Sequence, residues 1–331
     1  MKRRLAVIRD IGKRILEDNP SPVVRYRLLR DILGYGDDHP ELIAAGQRLN
    51  ADVHVKELAE VQNEDGGWGR FHTASSTVKS KIPTTETAVN RAVALGLDKS
   101  NTVLKKALIY IKKILNGNIL FPDPPEKNDR WETGWRLFAA SMLSVIEPDA
   151  KDIDKYWNLW IEIAERAFAS GVYNESNEIQ AHCELTGATV GNSYLVIGSK
   201  YQLLLLGSRS CNMSVRLQKS LMNWIFNRES GIGYLGQPLN QPPPLRPFSV
   251  DAWLTSHEIL SNFRYWREFS KSAVDWLWDL RDEVGFWDLG SRAKYMGVHY
   301  FPLSENWRRG KSRRHDWSTR IMALLCRYYG R

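Results

Sequence analysis

The chain has 331 residues, of which 43% are hydrophobic and 25% charged, ordinary values for a globular protein with one large or two smaller cores. Three widely spaced cysteines, Cys183, Cys211 and Cys326, with no CxxC pair, argue against a disulfide framework and a structural zinc site. A formal charge of +8 implies attraction to anions, and 13 tryptophans are an excess that needs a structural or binding reason.

The opening Met1-Lys2-Arg3-Arg4-Leu5 leads into a short apolar stretch broken by Arg9 and Asp10, so no signal-peptide core is read there. The longest apolar run, Tyr194 to Leu206, is interrupted by Lys200 and is too short to span a bilayer. A cytoplasmic location without a transmembrane segment is expected. Ser21-Pro22 and Gly34 bracket a helix over 22–33, and with residues 3–18 this makes a first hairpin. Asp37-Asp38-His39-Pro40-Glu41 matches a DDxxE magnesium pattern in form, but its place between Gly34 and a proline-started helix reads as a turn with first-turn acids.

From there apolar residues recur at three and four, the period of helices. Leu104, Ala107, Leu108, Ile111, Ile114 and Leu115 form one stripe; Trp157, Trp160, Ile161, Ala164 and Phe168 another; Leu217, Leu221, Trp224 and Ile225 a third; Val274, Leu277 and Leu280 a fourth. A second, greasier helix follows each after a longer loop, starting near Thr84, Trp131, Gly191, Ser249 and Asp316. Stretches such as Leu137 to Leu143 and Ile321 to Leu325 are apolar on most faces, as helices covered on both sides are. Glycines Gly66, Gly117, Gly171, Gly231 and Gly285 recur at 51, 54, 60 and 54 residues, the mark of one supersecondary unit copied along the chain. The expected fold is all-α: about six helical hairpins in two concentric layers, one α/α toroid over 1–331, with N-terminal helices in 1–50 and five hairpin repeats in 51–331.

The turn sequences carry a resemblance. Gln62, Gly66 and Trp68 have the spacing of the QxxxGxW repeat of squalene and oxidosqualene cyclases, and Arg281, Gly285 and Trp287 repeat it with arginine in the glutamine position. Weaker echoes are Trp224-Ile225 with Gly231 and Tyr234, and Tyr110-Ile111 with Gly117. The chain thus resembles the terpenoid cyclase and protein prenyltransferase superfamily over about residues 50 to 331, which implies an α/α toroid around a central cavity. The superfamily's DxDD acid is absent, and Ala181, Arg209 and Leu324 stand where an Asp two residues before a zinc-binding cysteine would be. No metal site and no cofactor is expected.

The starts of the greasy helices supply the candidate site. Asp251, Asp316 and Glu132 are the candidate acids or bases, with Glu86, Trp131, Trp135, Tyr194, Trp253, His257, His315 and Trp317 as candidate substrate contacts. In a closed ring these positions share one mouth, where crowded carboxylates acquire raised pKa values suited to general acid catalysis. The alternative for each acid is helix capping or a simple i,i+4 ion pair, Glu132 with Arg136 and Asp316 with Arg320. His182-Cys183-Glu184 packs three metal-ligand types together without a helically spaced fourth. Gln241 to Pro247 reads as a stiff loop crossing the mouth, and Arg308 to Arg314 as a solvated basic loop or an anion-binding rim.

Three functions fit: an enzyme acting on an isoprenoid or other hydrophobic substrate, a non-catalytic binder of a lipid or small apolar ligand, or a carbohydrate-active toroid, since indoles with paired carboxylates suit glycoside chemistry. A nucleic-acid partner is not expected, because the basic charge lacks a binding motif.

Overall fold

A computed structural model describes residues 2–77, 80–127, 130–189, 196–290 and 301–330. Among these the chain is all-helical, with isolated bridges joining Gly69 and Arg70 to Thr84 and Ser199 to Gly233 in place of a sheet. No described helix is long and apolar enough to cross a membrane.

Helix α1 (Lys2–Glu17) buries Ile8, Ile11 and Ile15 along one face at helical spacing. Helix α2 (Pro22–Arg27) starts on the Ser21 hydroxyl, which accepts from Val24 N, and runs on as a π-turn over Leu28–Leu33. Gly34 stops it in the left-handed conformation. Next come α3 (Pro40–Asn50) and α4 (Val53–Glu60), capped by His39 and Asp52. His39 is thus committed to a helix start, which is what the turn reading of the DDxxE-like segment anticipates.

The succeeding helices are α5 (Thr85–Leu95), α6 (Thr102–Leu115), α7 (Trp131–Ile146), α8 (Asp154–Ala167), α9 (Glu175–Thr186), α10 (Lys200–Ser208), α11 (Val215–Asn227), α12 (Pro247–Leu260), α13 (Trp266–Phe269), α14 (Lys271–Asp279) and α15 (Gly310–Tyr329). Two starts depart from the sequence expectation, and α3 and α13 lie outside the hairpin count. Gly191 lies outside the described residues and the helix there begins at Lys200; α15 begins six residues before Asp316; and α9 is likewise a helix the hairpin count omits.

Helix α7 packs against α5, α6, α8 and α10; α10 also meets α8 and α12; α15 meets α1, α2, the π-turn and α14. The two ends of the chain meet there. Arg4 donates to Asp275 Oδ1 at 2.5 Å and to the Tyr329 hydroxyl at 2.7 Å. One apolar core runs from Ile8 through Trp160 and Trp253 to Tyr329.

The glycine turns repeat in atomic detail. Trp68 Nε1 donates to Leu58 O at 2.9 Å, and Trp287 Nε1 to Leu277 O at 2.6 Å. Each tryptophan's backbone N–H also reaches a hydroxyl on a buried helix, Thr85 of α5 and Ser318 of α15. All five spaced glycines have left-handed φ, from +56° at Gly231 to +97° at Gly66. Each indole therefore staples the end of one helix to the helix that follows the loop.

Candidate active site

A buried polar cluster forms around Glu86 at the start of α5. Thr84 caps that helix, its hydroxyl accepting from Thr87 N. The amides of Thr85 and Glu86 donate to Arg70 O and Phe71 O at 2.8 and 3.0 Å, which lays the preceding loop across the helix start. The buried Asp123 carboxylate holds the same loop from the other side, accepting from Phe71 N at 2.5 Å, His72 N at 3.0 Å and Thr73 N at 2.6 Å. His72 is thereby set over Glu86, with Nδ1 2.7 Å from Oε2. Its ring stacks on Phe138 of α7 at 4.0 Å.

Helix α10 completes the cluster. Its first residue, Lys200, donates through Nζ to Glu86 Oε1 at 2.8 Å, and the Tyr201 hydroxyl lies 2.9 Å from both carboxylate oxygens and 3.1 Å from His72 Nδ1. Burial pushes the Glu86 carboxyl upward; the Lys200 ammonium, and then the His72 bond, outweigh it and hold it down at about 2. Glu86 is therefore an ionised, fully hydrogen-bonded carboxylate at neutral pH. Because Glu86 is ionised, the proton of this bond sits on His72 Nδ1, and Nε2 has no hydrogen-bond partner among the described residues.

His72 faces an open pocket of about 520 Å³, shared with Glu126, Val196, Ser199, Gly233 and Tyr234. Tyr234 stands edge-on to His72 and to Tyr201, with ring centroids 6.3 and 5.1 Å away. It has φ +72°, a left-handed conformation costly for a tyrosine and concentrated at functional sites.

A second cavity, of about 290 Å³, lies among α2 with its π-turn, α5, α7, α10, α12 and α15, and each of the six contributes to its wall. Val93, Leu204 and Ile259 give it apolar surface, whereas Arg27, Arg30, Lys200, Arg320 and Arg327 bring cationic stems and heads. Arg320 holds Glu258 at 2.7 Å, Thr255 at 2.9 Å and the Asp251 carboxylate. Burial raises and the two arginines Arg27 and Arg30 lower the Asp31 carboxyl, to about 2.

The sequence-derived candidates divide among separate places. Glu86 belongs to the cluster above. Asp251 is buried against Arg320. Asp316, 0% exposed, accepts from Leu303 N, Ser304 N and Ser304 Oγ and so anchors the segment before α15; its i,i+4 neighbour Arg320 is turned to α12 instead. Glu132 is exposed, bonded to Arg136 at 2.6 Å and to Trp135 Nε1 at 3.2 Å, the ion pair its spacing implies. Trp131 and Trp135 pack on Phe121. Trp253 and Trp317 are core side chains, 0% and 1% exposed. His257 packs at a tilt against Trp253, ring centroids 4.1 Å apart, and accepts from Trp266 Nε1; burial alone pushes its imidazole down to about 3. His315 lies 3.2 Å from Asp18, with burial again lowering it. Tyr194 lies outside the described residues. The structure therefore gathers Glu86 with His72, Lys200 and Tyr201, none of which the helix-start pattern marks. Lys200 alone left a signal, as the charge interrupting the longest apolar run.

Other motifs resolve into packing. His182 is buried on α9 while Glu184 pairs with Arg166. The basic run of residues 308–314 opens α15, where Lys311, Arg313 and Arg314 pair with Asp18, Asp288 and Asp282. Among the described residues no group of three or more His, Cys, Asp or Glu is placed to hold a metal ion. No family model, curated protein or solved structure matches the chain significantly.

Proposed function

We propose that the helices close into an α/α toroid, akin to the terpenoid cyclase and protein prenyltransferase superfamily that the turns resemble, and that the chain is an enzyme moving a proton on a polar small molecule. The packed chain ends and a cavity walled by six helices support the ring. The observation that carries the activity is the His72–Glu86 pair: a buried carboxylate fixes Nδ1 of an imidazole that lines an open pocket beside Tyr234. A carboxylate-oriented imidazole with its second nitrogen unpartnered is a general base in the position to work. Burying a carboxylate, an ammonium, an imidazole and a phenol together costs more than an apolar plug of equal volume, so folding alone does not account for the cluster.

The assay follows from the reaction class. Incubating the protein with a small-molecule extract in heavy water should load deuterium onto one or more polar compounds, and His72→Asn and Glu86→Gln should abolish the label. Diethyl pyrocarbonate should carbethoxylate His72 and spare the buried His182 and His257. Labelling that is the same in wild type and His72→Asn, with an inert His72, would rule the base out.

The central cavity supports a second reading, a binder of a lipid or other small amphipathic molecule, because Val93, Leu204 and Ile259 share its wall with arginine heads. Native mass spectrometry of the purified protein tests it: a retained apolar ligand that Leu204→Trp excludes would support this reading over the first.

A further inference from the structure

We propose that the amino end of α10 receives an oxyanion group, a carboxylate or a phosphate, within the His72 pocket. This deepens the proton-transfer reading by assigning its substrate class, and it rests on a different set of atoms.

Ser199 is the N-cap of α10, yet its side chain makes no capping bond. The residue is 1% exposed, and its hydroxyl has no hydrogen-bond partner among the described residues. A buried hydroxyl left this way loses the free energy of an unmade bond, which a ligand oxygen would restore. Next to it, Lys200 N donates to Gly233 O and Leu203 N to Ser199 O. Between them the Gln202 amide has no backbone acceptor among the described residues. The first turn of α10 carries no acidic side chain to stand in for an anion. A helix start with an open amide and a positive dipole end attracts negative charge.

The wall is also cut to admit a group there. Gly233 lines the pocket with Ser199, and a Cβ on it would come within 2.9 Å of Ser199 Oγ. The Glu86 carboxylate nearby does not compete, since Lys200, His72 and Tyr201 already hold it. The pairing with His72 defines a reaction. A C–H bond next to a carbonyl breaks, its proton goes to Nε2, and the electron pair forms C=C while the carbonyl oxygen takes the negative charge; where the bound group is the carboxylate itself, that charge develops at the amino end of α10. Return of the proton to the enolate completes an exchange or an isomerisation with no further reactant. The substrate class is therefore a small carbonyl or carboxylate compound with an acidic α-hydrogen, or its phosphorylated relative.

The test is an amide-resolved NMR titration of the whole chain with sodium acetate and with inorganic phosphate, against sodium chloride at matched ionic strength. A saturable shift of Ser199, Gln202 and Gly233 with either oxyanion, and none with chloride, is expected; which one binds identifies the head group. Ser199→Asp places a carboxylate in the site, so it should abolish the response while raising the melting temperature. Gly233→Ala and Ser199→Ala should each weaken binding by about tenfold, and they serve if Ser199→Asp does not fold. Binding by Ser199→Asp equal to wild type, or shifts confined to the Arg27, Arg30 and Arg327 cavity, would overturn the assignment. Oxyanion binding without His72-dependent deuterium loading sinks the base alone. Deuterium loading that survives Ser199→Asp sinks the oxyanion site alone.

Discussion

Glu86 and His257 show how one physical effect, burial, leaves opposite signatures according to what surrounds the group. Around Glu86 the neighbours are a cation and two further hydrogen-bond donors, and the carboxyl ends at about 2. Its contribution is in full force above its ordinary value of 4.5 and is lost as pH falls toward 2. His257 is enclosed by Trp253, Trp266 and Phe226 rings, with no charge to compensate, so its imidazole drops from 6.5 to about 3. The unfolded chain therefore binds a proton at His257 below 6.5 that the folded chain refuses, and stability falls as pH drops from 6.5 toward 3. The expected slope from this residue is about 1.4 kcal/mol per pH unit. His257→Asn keeps an acceptor for Trp266 and removes the titration, so urea unfolding between pH 7 and 4.5 should lose that slope; an unchanged slope would place the pH sensitivity elsewhere.

At the scale of elements, the five spaced glycines are the part of the pattern that local chemistry could reveal. A left-handed φ is a property of one residue's backbone, and glycine adopts it without the steric cost that a Cβ brings. Their surroundings differ, however. A Cβ at Gly66 would lie 2.4 Å from Lys106 O and one at Gly231 1.9 Å from Gln237 O, while Gly117 faces open space. Gly117→Ala should cost about 1–2 kcal/mol, the price of the conformation alone. Gly66→Ala and Gly231→Ala should cost clearly more, because backbone must move as well. Equal losses in chemical denaturation would show that the close approach is absorbed. Helix starts were harder to read. Residues 308–314 resemble a solvated basic loop until Lys311, Arg313 and Arg314 meet Asp18, Asp288 and Asp282 from elsewhere in the chain, and those pairs extend α15 backward to Gly310. Asp316 consequently sits in the interior of a helix, holding Ser304, rather than at a mouth.

For the whole molecule, the decisive contacts join the first helix to the last. Arg4 lies at the beginning of α1 and bonds Tyr329 at the end of α15, so the chain termini are neighbours. If the helices form a closed ring, where the chain is cut matters little. A circular permutant that joins Gly330 to Lys2 through a short glycine linker and opens at Asn118, beside the exposed Leu120, should keep the helical circular dichroism and a single cooperative melt. A permutant with separate transitions, or none, would argue for an open array whose ends happen to touch.

What the sequence by itself determined is the all-α class and the left-handed turns at the spaced glycines, because helical periodicity and glycine geometry are local. Glu86 was legible as a polar residue at a buried helix start. Only the tertiary structure decided its role, since Asp123, His72, Lys200 and Tyr201 arrive from 37, 14, 114 and 115 positions away. The same folding drew Asp251, Asp316 and Glu132 into three unrelated networks. A local pattern can mark an acidic residue near a helix start, but the charge that it meets across the chain is set by packing, and that is information no local pattern carries.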